Sequence, residues 1–348
     1  MIKLHQLVVA VAFLAVQVPI AVQPATLERN EALNALSHAL NVYVYPTRLA
    51  EMRAVLARHR ATYLKAAGDQ EFADAVTADL RLITHDKHLS LDYSPESLPD
   101  FKAPSQAERQ RRSAQQSYAN AFIPVAMRLP GNIGFLRIQG FVPPSEARSV
   151  IDSAMSFLSR TDAMIIDLRG NDGGRPESVA YLLGYFFQQP AQLTSIITRA
   201  GDARTTQNFF TAKIAGGSYY SKPLVVLIDN ETFSAGEEMA YDLGVLHRAS
   251  LVGLRTAGGA NPGHPIKLTD HFSAFIPVGY ALNPHTHTSW EGVGVAPTVS
   301  CSATATLVTG YRIALRLATP DPKVDSGERL DALRNPQDAL KHSLLNEP

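Results

Sequence analysis

The spacing of apolar positions changes near residue 120. From Thr47 to Leu64, the residues Leu49, Met52, Leu56, Tyr63 and Leu64 fall at helical intervals, and Phe72, Ala75, Val76, Leu80 and Ile83 repeat the pattern. Two amphipathic helices are predicted there. Leu89, Leu91 and Tyr93 then alternate with polar residues as in a half-buried strand, which leaves His88 at a helix-to-strand junction. Between Ser94 and Gln116 the chain turns polar, with Pro95, Pro99 and Pro104 followed by ERQRR. That composition predicts a boundary leading into a solvated helix.

Beyond Asn120 come apolar runs of strand length: IGFLRI from Ile133, AMIIDL from Ala163, LVVLID from Leu224 and SLVGL from Ser250. Amphipathic segments from Ser145 and Glu177 separate them. Apolar strands alternating with helices predict an α/β fold whose sheet is covered by helices, with functional groups in the loops after the strands. After Val299 the pattern weakens to a helical stretch, and from Pro320 to a polar tail that reads as helix or partial disorder.

The N-terminus departs from both patterns. Lys3 precedes LVVAVAFLAV, Leu7 to Val16, and small residues follow near Ala25, the layout of a signal peptide over residues 1–25. The run is short for a membrane span of about 20 residues, so no stable span is expected after cleavage. A secreted or periplasmic protein is expected. At roughly 150 residues per domain, 348 residues suggest about two domains, and 45% apolar residues suffice for full cores. With 32 basic and 32 acidic residues there is no single-signed field to draw the chain onto nucleic acid. The single cysteine, Cys301, excludes an intrachain disulfide framework, and no Cys/His spacing suggests a zinc site.

Three loops carry candidate chemistry. RGNDGG, Arg169 to Gly174, can bring main-chain N–H groups close to a ligand or can be a plain strand-to-helix turn. In NETFSAGEE, Asn230 to Glu238, Ser234 opens a helix, where unpaired N–H groups favour developing negative charge. Ser234 and Glu237 also spell a capping box, so the serine reads equally as a cap. In WEGVGVAP, Trp290 to Pro297, Glu291 is either the orienting carboxylate of a histidine or a turn residue.

Taken in order, IGFLRI, DLRGNDGG, LVVLIDNETFSAGEE, RASLVGLRTAGG and WEGVGVAP resemble the catalytic domain of the C-terminal processing (tail-specific) serine peptidase family. The branch most similar is the one related to interphotoreceptor retinoid-binding protein. VYVYP at Val42 and FADAVTADLRLITHDKHLSLDYSP resemble that branch's helical N-terminal domain, so the likeness runs from about Ala32 to Val299. The stretch from Tyr93 to Ile133 is too short for the PDZ domain found in many processing peptidases. The resemblance implies a crotonase-like stacked ββα catalytic domain over residues 119–310. It is preceded by a small α-helical N-terminal domain and linker, 26–118, and followed by a C-terminal tail, 311–348.

The resemblance implies that Ser234 is the nucleophile, with the N–H of Ala235 and one from the Gly173–Gly174 turn forming the oxyanion hole. Many relatives use a lysine base, but Gly259 in TAGGA stands at that place, and Lys267 reads as a solvated strand residue. The tricorn-like alternative takes a histidine from the helical part and a glutamate before a G-V-x-P turn, matching His88 and Glu291. His85 is the weaker substitute for His88, and Lys87 is a candidate partner for a substrate carboxylate. Expected is an exported serine peptidase acting on a peptide or protein, with no cofactor and no metal. The competing expectation is a non-catalytic carrier of retinoid- or fatty-acid-like ligands, because the vertebrate relatives use this scaffold so.

Overall fold

The computed structural model describes residues 24–100, 106–214, 219–321, 327–341 and 343. The expected signal segment therefore lies outside the described residues, apart from its last two positions, which belong to the first helix. In chain order the elements begin with α1 (Pro24–Ala39), α2 (Leu49–Tyr63), α3 (Asp69–Thr84), β1 (Ser90–Tyr93) and α4 (Gln106–Tyr118). Next come β2 (Val125–Leu129), β3 (Ile133–Arg137), α5 (Pro144–Leu158), β4 (Ala163–Asp167) and α6 (Pro176–Leu183). They are followed by β5 (Ser195–Ala200), β6 (Ala203–Gln207), β7 (Leu224–Ile228), α7 (Ala235–Val245) and β8 (Ala249–Gly253). The chain closes with β9 (Gly263–Lys267), β10 (Phe272–Pro277), β11 (Gly279–Leu282), β12 (Val299–Ser300), α8 (Thr306–Leu317), α9 (Gly327–Arg334) and α10 (Pro336–Lys341).

The main sheet has the order β12–β8–β7–β4–β3–β2, parallel throughout except for the antiparallel edge strand β2. Its central strands are apolar on both faces, and they alternate between two cores. Met164 and Ile166 of β4 and Leu224, Val226 and Ile228 of β7 pack under α5, α6 and α7. Ala163, Ile165, Val225 and Leu227 pack under α8, with Leu307, Tyr311, Ala314 and Leu315. Continuous apolar runs are what a strand covered on both sides requires. The boundary expected at residue 310 falls inside α8.

The N-terminal helices do not stand apart. β1 pairs antiparallel with β10, in a three-stranded sheet β1–β10–β9, and Phe272, Ala274 and Ile276 share one core with Leu36, Phe72 and Leu80. Phe72 and Phe272 meet edge to face at 5.3 Å. Fully burying a side chain of this size contributes about 1.5–3 kcal/mol, so this core fastens the helical part to the β9–β10 hairpin. A second ribbon, β11–β5–β6, lies against α7 through the Thr194–Asp242 hydrogen bonds. The solvated helix expected from ERQRR is α4, which buries none of its residues.

Candidate active site

β7 and β4 end side by side, and their loops are tied together. Asp229 Oδ1 accepts from the N–H of Gly170 and of Thr232, while Phe233 N–H donates to the Asn171 carbonyl at 2.8 Å. The chain then turns into α7 at Ser234, whose φ is 53° and ψ −119°. For a residue with a side chain this conformation costs of order 1–3 kcal/mol and persists only where surrounding bonds enforce it. Glu237 enforces it: its Oε2 accepts from Ser234 N–H at 3.0 Å and from Gly259 N–H at 2.8 Å. Its Oε1 accepts from Thr256 Oγ1 at 2.5 Å and Gly258 N–H at 2.7 Å. The capping box foreseen for Ser234 and Glu237 is present. It also fastens the serine to the TAGGA turn.

The Ser234 hydroxyl faces an imidazole from the other half of the molecule. α3 ends at His85 in a left-handed conformation, which reverses the chain and lets the buried Asp86 collect donors from Tyr43 Oη, Asn261 Nδ2 and the His88 N–H. His88 Nε2 is thereby brought to 3.2 Å from Ser234 Oγ, across 146 residues of sequence. The ring lies between Phe233, 4.4 Å away, and Phe275, 5.8 Å away. Burial, and secondarily Arg81, hold the His88 pKa down at about 4, so the ring is neutral and able to accept a proton at pH 7. His85 and Lys87 are exposed, and Lys267 Nζ is bonded to the Leu98 carbonyl and to Asp270.

Gly259 shows why lysine is missing from the turn. A Cβ there would sit 2.1 Å from the Phe233 ring and 3.0 Å from His88 Cε1. The space a lysine stem would leave through is filled by the histidine and the phenyl group that packs on it.

Glu291 lies behind His88 on a turn fastened to the same segment, through Trp290 Nε1 to the Gly259 carbonyl and Gly292 N–H to the Gly258 carbonyl. One carboxyl oxygen, Oε2, accepts from Ala260 N–H at 2.5 Å. The other, Oε1, is buried without a hydrogen-bond partner, as is His88 Nδ1, among the described residues. The ligating atoms of Asp86, His88 and Glu291 all lie within 4.8 Å of one another. Burial and then the charge of Asp86 push the Glu291 pKa up to about 8. Joining the two orphan atoms would be the kind of tightening that unliganded sites undergo when substrate binds.

The ionised form of Glu291 is the one that can accept from Nδ1–H and stabilise an imidazolium, and it forms as pH rises through about 8. Activity, read as kcat/KM, is therefore expected to climb across that range. Glu291→Gln should remove the limb and lower the plateau by at least tenfold, about 1.4 kcal/mol. A pH–rate profile of both proteins checks this, and an unchanged limb in the variant would reduce Glu291 to a turn residue.

On the opposite side of Ser234, the β4 loop presents its glycines. The N–H of Gly173 is engaged by Asn171 Oδ1 at 2.9 Å. Gly173 has φ +90°, and a Cβ on it would stand 2.6 Å from Ser234 Cβ. Only glycine lets the loop come this close. Neither Gly174 N–H nor Ala235 N–H donates to any group among the described residues. The free donor of the pair foreseen in this turn is thus Gly174. Sequence reasoning did not single out Asp86, Asn171, Asn261 or the second role of Glu237; each acts through hydrogen bonds between distant loops, which leave no local pattern.

His88, Gly173, Gly174, Ser234, Ala235 and Gly259 line one cleft of about 1470 Å³. Its central strands, both loops and Glu291 fall within a single recognisable unit. Residues 132–301 match the model of peptidase family S41. His88 lies outside that S41 match, and its relation to Ser234 rests on geometry. The chain is 30% identical over 174 residues to carboxyl-terminal-processing peptidase 3 of Arabidopsis thaliana, covering 49% of this chain and 31% of the relative. It is 26% identical over 179 residues to the carboxy-terminal-processing protease of Bartonella bacilliformis, covering 50% and 40%. The matched stretch thus spans less than half the length of these relatives. In fold the chain is similar to a putative peptidase from Parabacteroides merdae, with TM-score 0.57, 16% identity and coverage of 85% and 99%. It is also similar to mature CPAF, with TM-score 0.55, 15% identity and coverage of 82% and 95%. No helix among the described residues is long and apolar enough to cross a membrane.

Proposed function

We propose that this protein is an exported serine peptidase that hydrolyses peptide bonds with Ser234 as nucleophile, His88 as base and Glu291 as its orienting carboxylate. The single observation that carries this reading is the 3.2 Å approach of a half-buried, neutral imidazole to a serine hydroxyl held at a helix start. Ser234 Oγ attacks the peptide carbonyl while its proton passes to His88 Nε2, and Glu291 stabilises the imidazolium. The carbonyl oxygen, now an anion, takes hydrogen bonds from the N–H groups of Ala235 and Gly174, which need no rearrangement; one such donor is worth about 2.7–4 kcal/mol of barrier. The C–N bond breaks as His88 returns the proton to the leaving amine. Water, deprotonated by His88, then cleaves the ester and frees the new carboxyl terminus and Ser234.

The same reading takes the catalytic part as crotonase-like and the whole as nearest in kind to the branch related to interphotoreceptor retinoid-binding protein. The helical part that supplies His88 supports it. The apolar run from Leu7 to Val16 supports export. A hydrophobic-ligand carrier is disfavoured by the cleft itself, which is lined by Arg109, Arg112, Asp172, Arg175 and Glu177. The test is a fluorophosphonate probe on purified protein, with the labelled peptide identified by mass. Labelling at Ser234 is expected. Protein inert to the probe that binds retinol with micromolar affinity would overturn the assignment in favour of the carrier.

A further inference from the structure

One turn of α7 below Ser234 lies Glu238. Its N–H donates to the Ser234 carbonyl at 2.9 Å, which closes the first turn of the helix. Glu238 is 5% exposed and lines the same cleft as Ser234 and Ala235. Neither of its carboxyl oxygens takes part in a hydrogen bond or ion pair among the described residues, and Oε1 is wholly buried. Glu237, its neighbour, has all of its lone pairs engaged. Asp242, one turn further on, is engaged by Thr194 and Asn283. Glu238 is the carboxyl of this helix left open to the cleft.

Its surroundings have a definite shape. The Thr194–Asp242 bonds draw the β5–β11 ribbon against α7, where Ile196 and Ala281 sit opposite each other in register. With Phe209 and Trp290 they give the cleft that Glu238 lines apolar walls. The charges that act on Glu238 are those of Asp242 and Glu177, both acidic. An isolated carboxyl in such a place is costly to ionise, and a cation brought by a ligand removes that cost. Apolar walls above a buried carboxyl suit a side chain with a methylene stem and a charged tip.

We propose that Glu238 forms the floor of a specificity pocket that accepts a lysine or arginine side chain on the residue whose carbonyl Ser234 attacks. The placement follows from the shared cleft: that side chain leaves the substrate one bond from the attacked carbonyl, and Glu238 lines the cleft one turn into α7 from the nucleophile. The inference rests on the hydrolase reading above and adds the substrate class. Glu238 is a specificity residue and takes no part in the bond-breaking steps.

The experiment compares kcat/KM for fluorogenic peptides that differ only at this residue, carrying Lys, Arg, Gln, Leu or Ala, alongside fluorophosphonate labelling of the same preparation. Lys or Arg is expected to exceed Leu at least tenfold. Glu238→Gln, nearly isosteric, should lower the Lys-to-Leu ratio by at least tenfold, a ratio that general damage to the site would leave in place. Glu238→Asp should restore part of it. Labelled wild-type protein that prefers Leu, Ala or Gln, or a Lys-to-Leu ratio untouched by Glu238→Gln, would overturn the inference and leave the hydrolase standing. Protein inert to both probe and peptides would overturn both.

Discussion

Ser234→Ala is expected to lower kcat for peptide hydrolysis by about a million-fold, roughly 8 kcal/mol of barrier, while the protein stays folded. Loss of the attacking oxygen removes the covalent route entirely. What remains is the activity of the N–H groups of Ala235 and Gly174 on a directly attacking water, of order 10³–10⁴ over the uncatalysed rate. Folding should survive because the strained turn at Ser234 is held by its backbone N–H and the Glu237 side chain, which the substitution leaves in place, while losing the hydroxyl half of the capping box costs about 0.5–2 kcal/mol. The hydroxyl's bond to His88 is partly exposed and contributes little, about 0.5–1.5 kcal/mol. Progress curves with a fluorogenic peptide and a urea melt of the variant check both halves. Activity within a hundredfold of wild type would exclude Ser234 as nucleophile.

His88→Ala is expected to have a nearly equal effect on kcat, and to abolish fluorophosphonate labelling although Ser234 is still present. Without a neighbouring base the hydroxyl keeps its proton and is a poor nucleophile at neutral pH. Other basic groups do not substitute: His85 is exposed at the end of α3, and Lys267 is engaged with Leu98 and Asp270. Because the two residues act as a unit, the double variant Ser234→Ala/His88→Ala should be no slower than either single one. Multiplying effects in the double variant would mean that the residues act independently and that the base lies elsewhere. Cavity formation is a second consequence, since the ring fills the gap between Phe233 and Phe275, and a loss of stability of a few kcal/mol is expected with it.

The central strands were legible in the sequence because β4, β7 and β8 are buried on both faces, and burial on both faces demands unbroken apolar runs. Ser234 was legible as a helix start after such a run, but S-x-x-E fits cap and nucleophile alike, and only the ordered resemblance of the five blocks separated the two. Choosing His88 over His85, three residues away, depends on the left-handed turn at His85 and on Asp86 below it; neither leaves a periodic signal. The exposed ribbon β5–β6 was not foreseen: the residues of β6 are all solvent-facing, so no alternation marks it. α1 escaped for a related reason, its apolar face being weakly segregated from its polar one. Glu238 was visible only as a letter in GEE. Its isolation is a property of the cleft; the S-x-x-E spacing marks Glu237 and leaves Glu238 without a local signal.

The pairing of β1 with β10 has a further consequence for how the molecule comes into being. The segment bearing the imidazole is made early, the alcohol 146 residues later, and the hairpin that receives β1 later still. A newborn chain emerging in order therefore carries a harmless hydroxyl until its far end has arrived and docked. Should hydrolysis be its trade, self-digestion during synthesis is averted by topology alone.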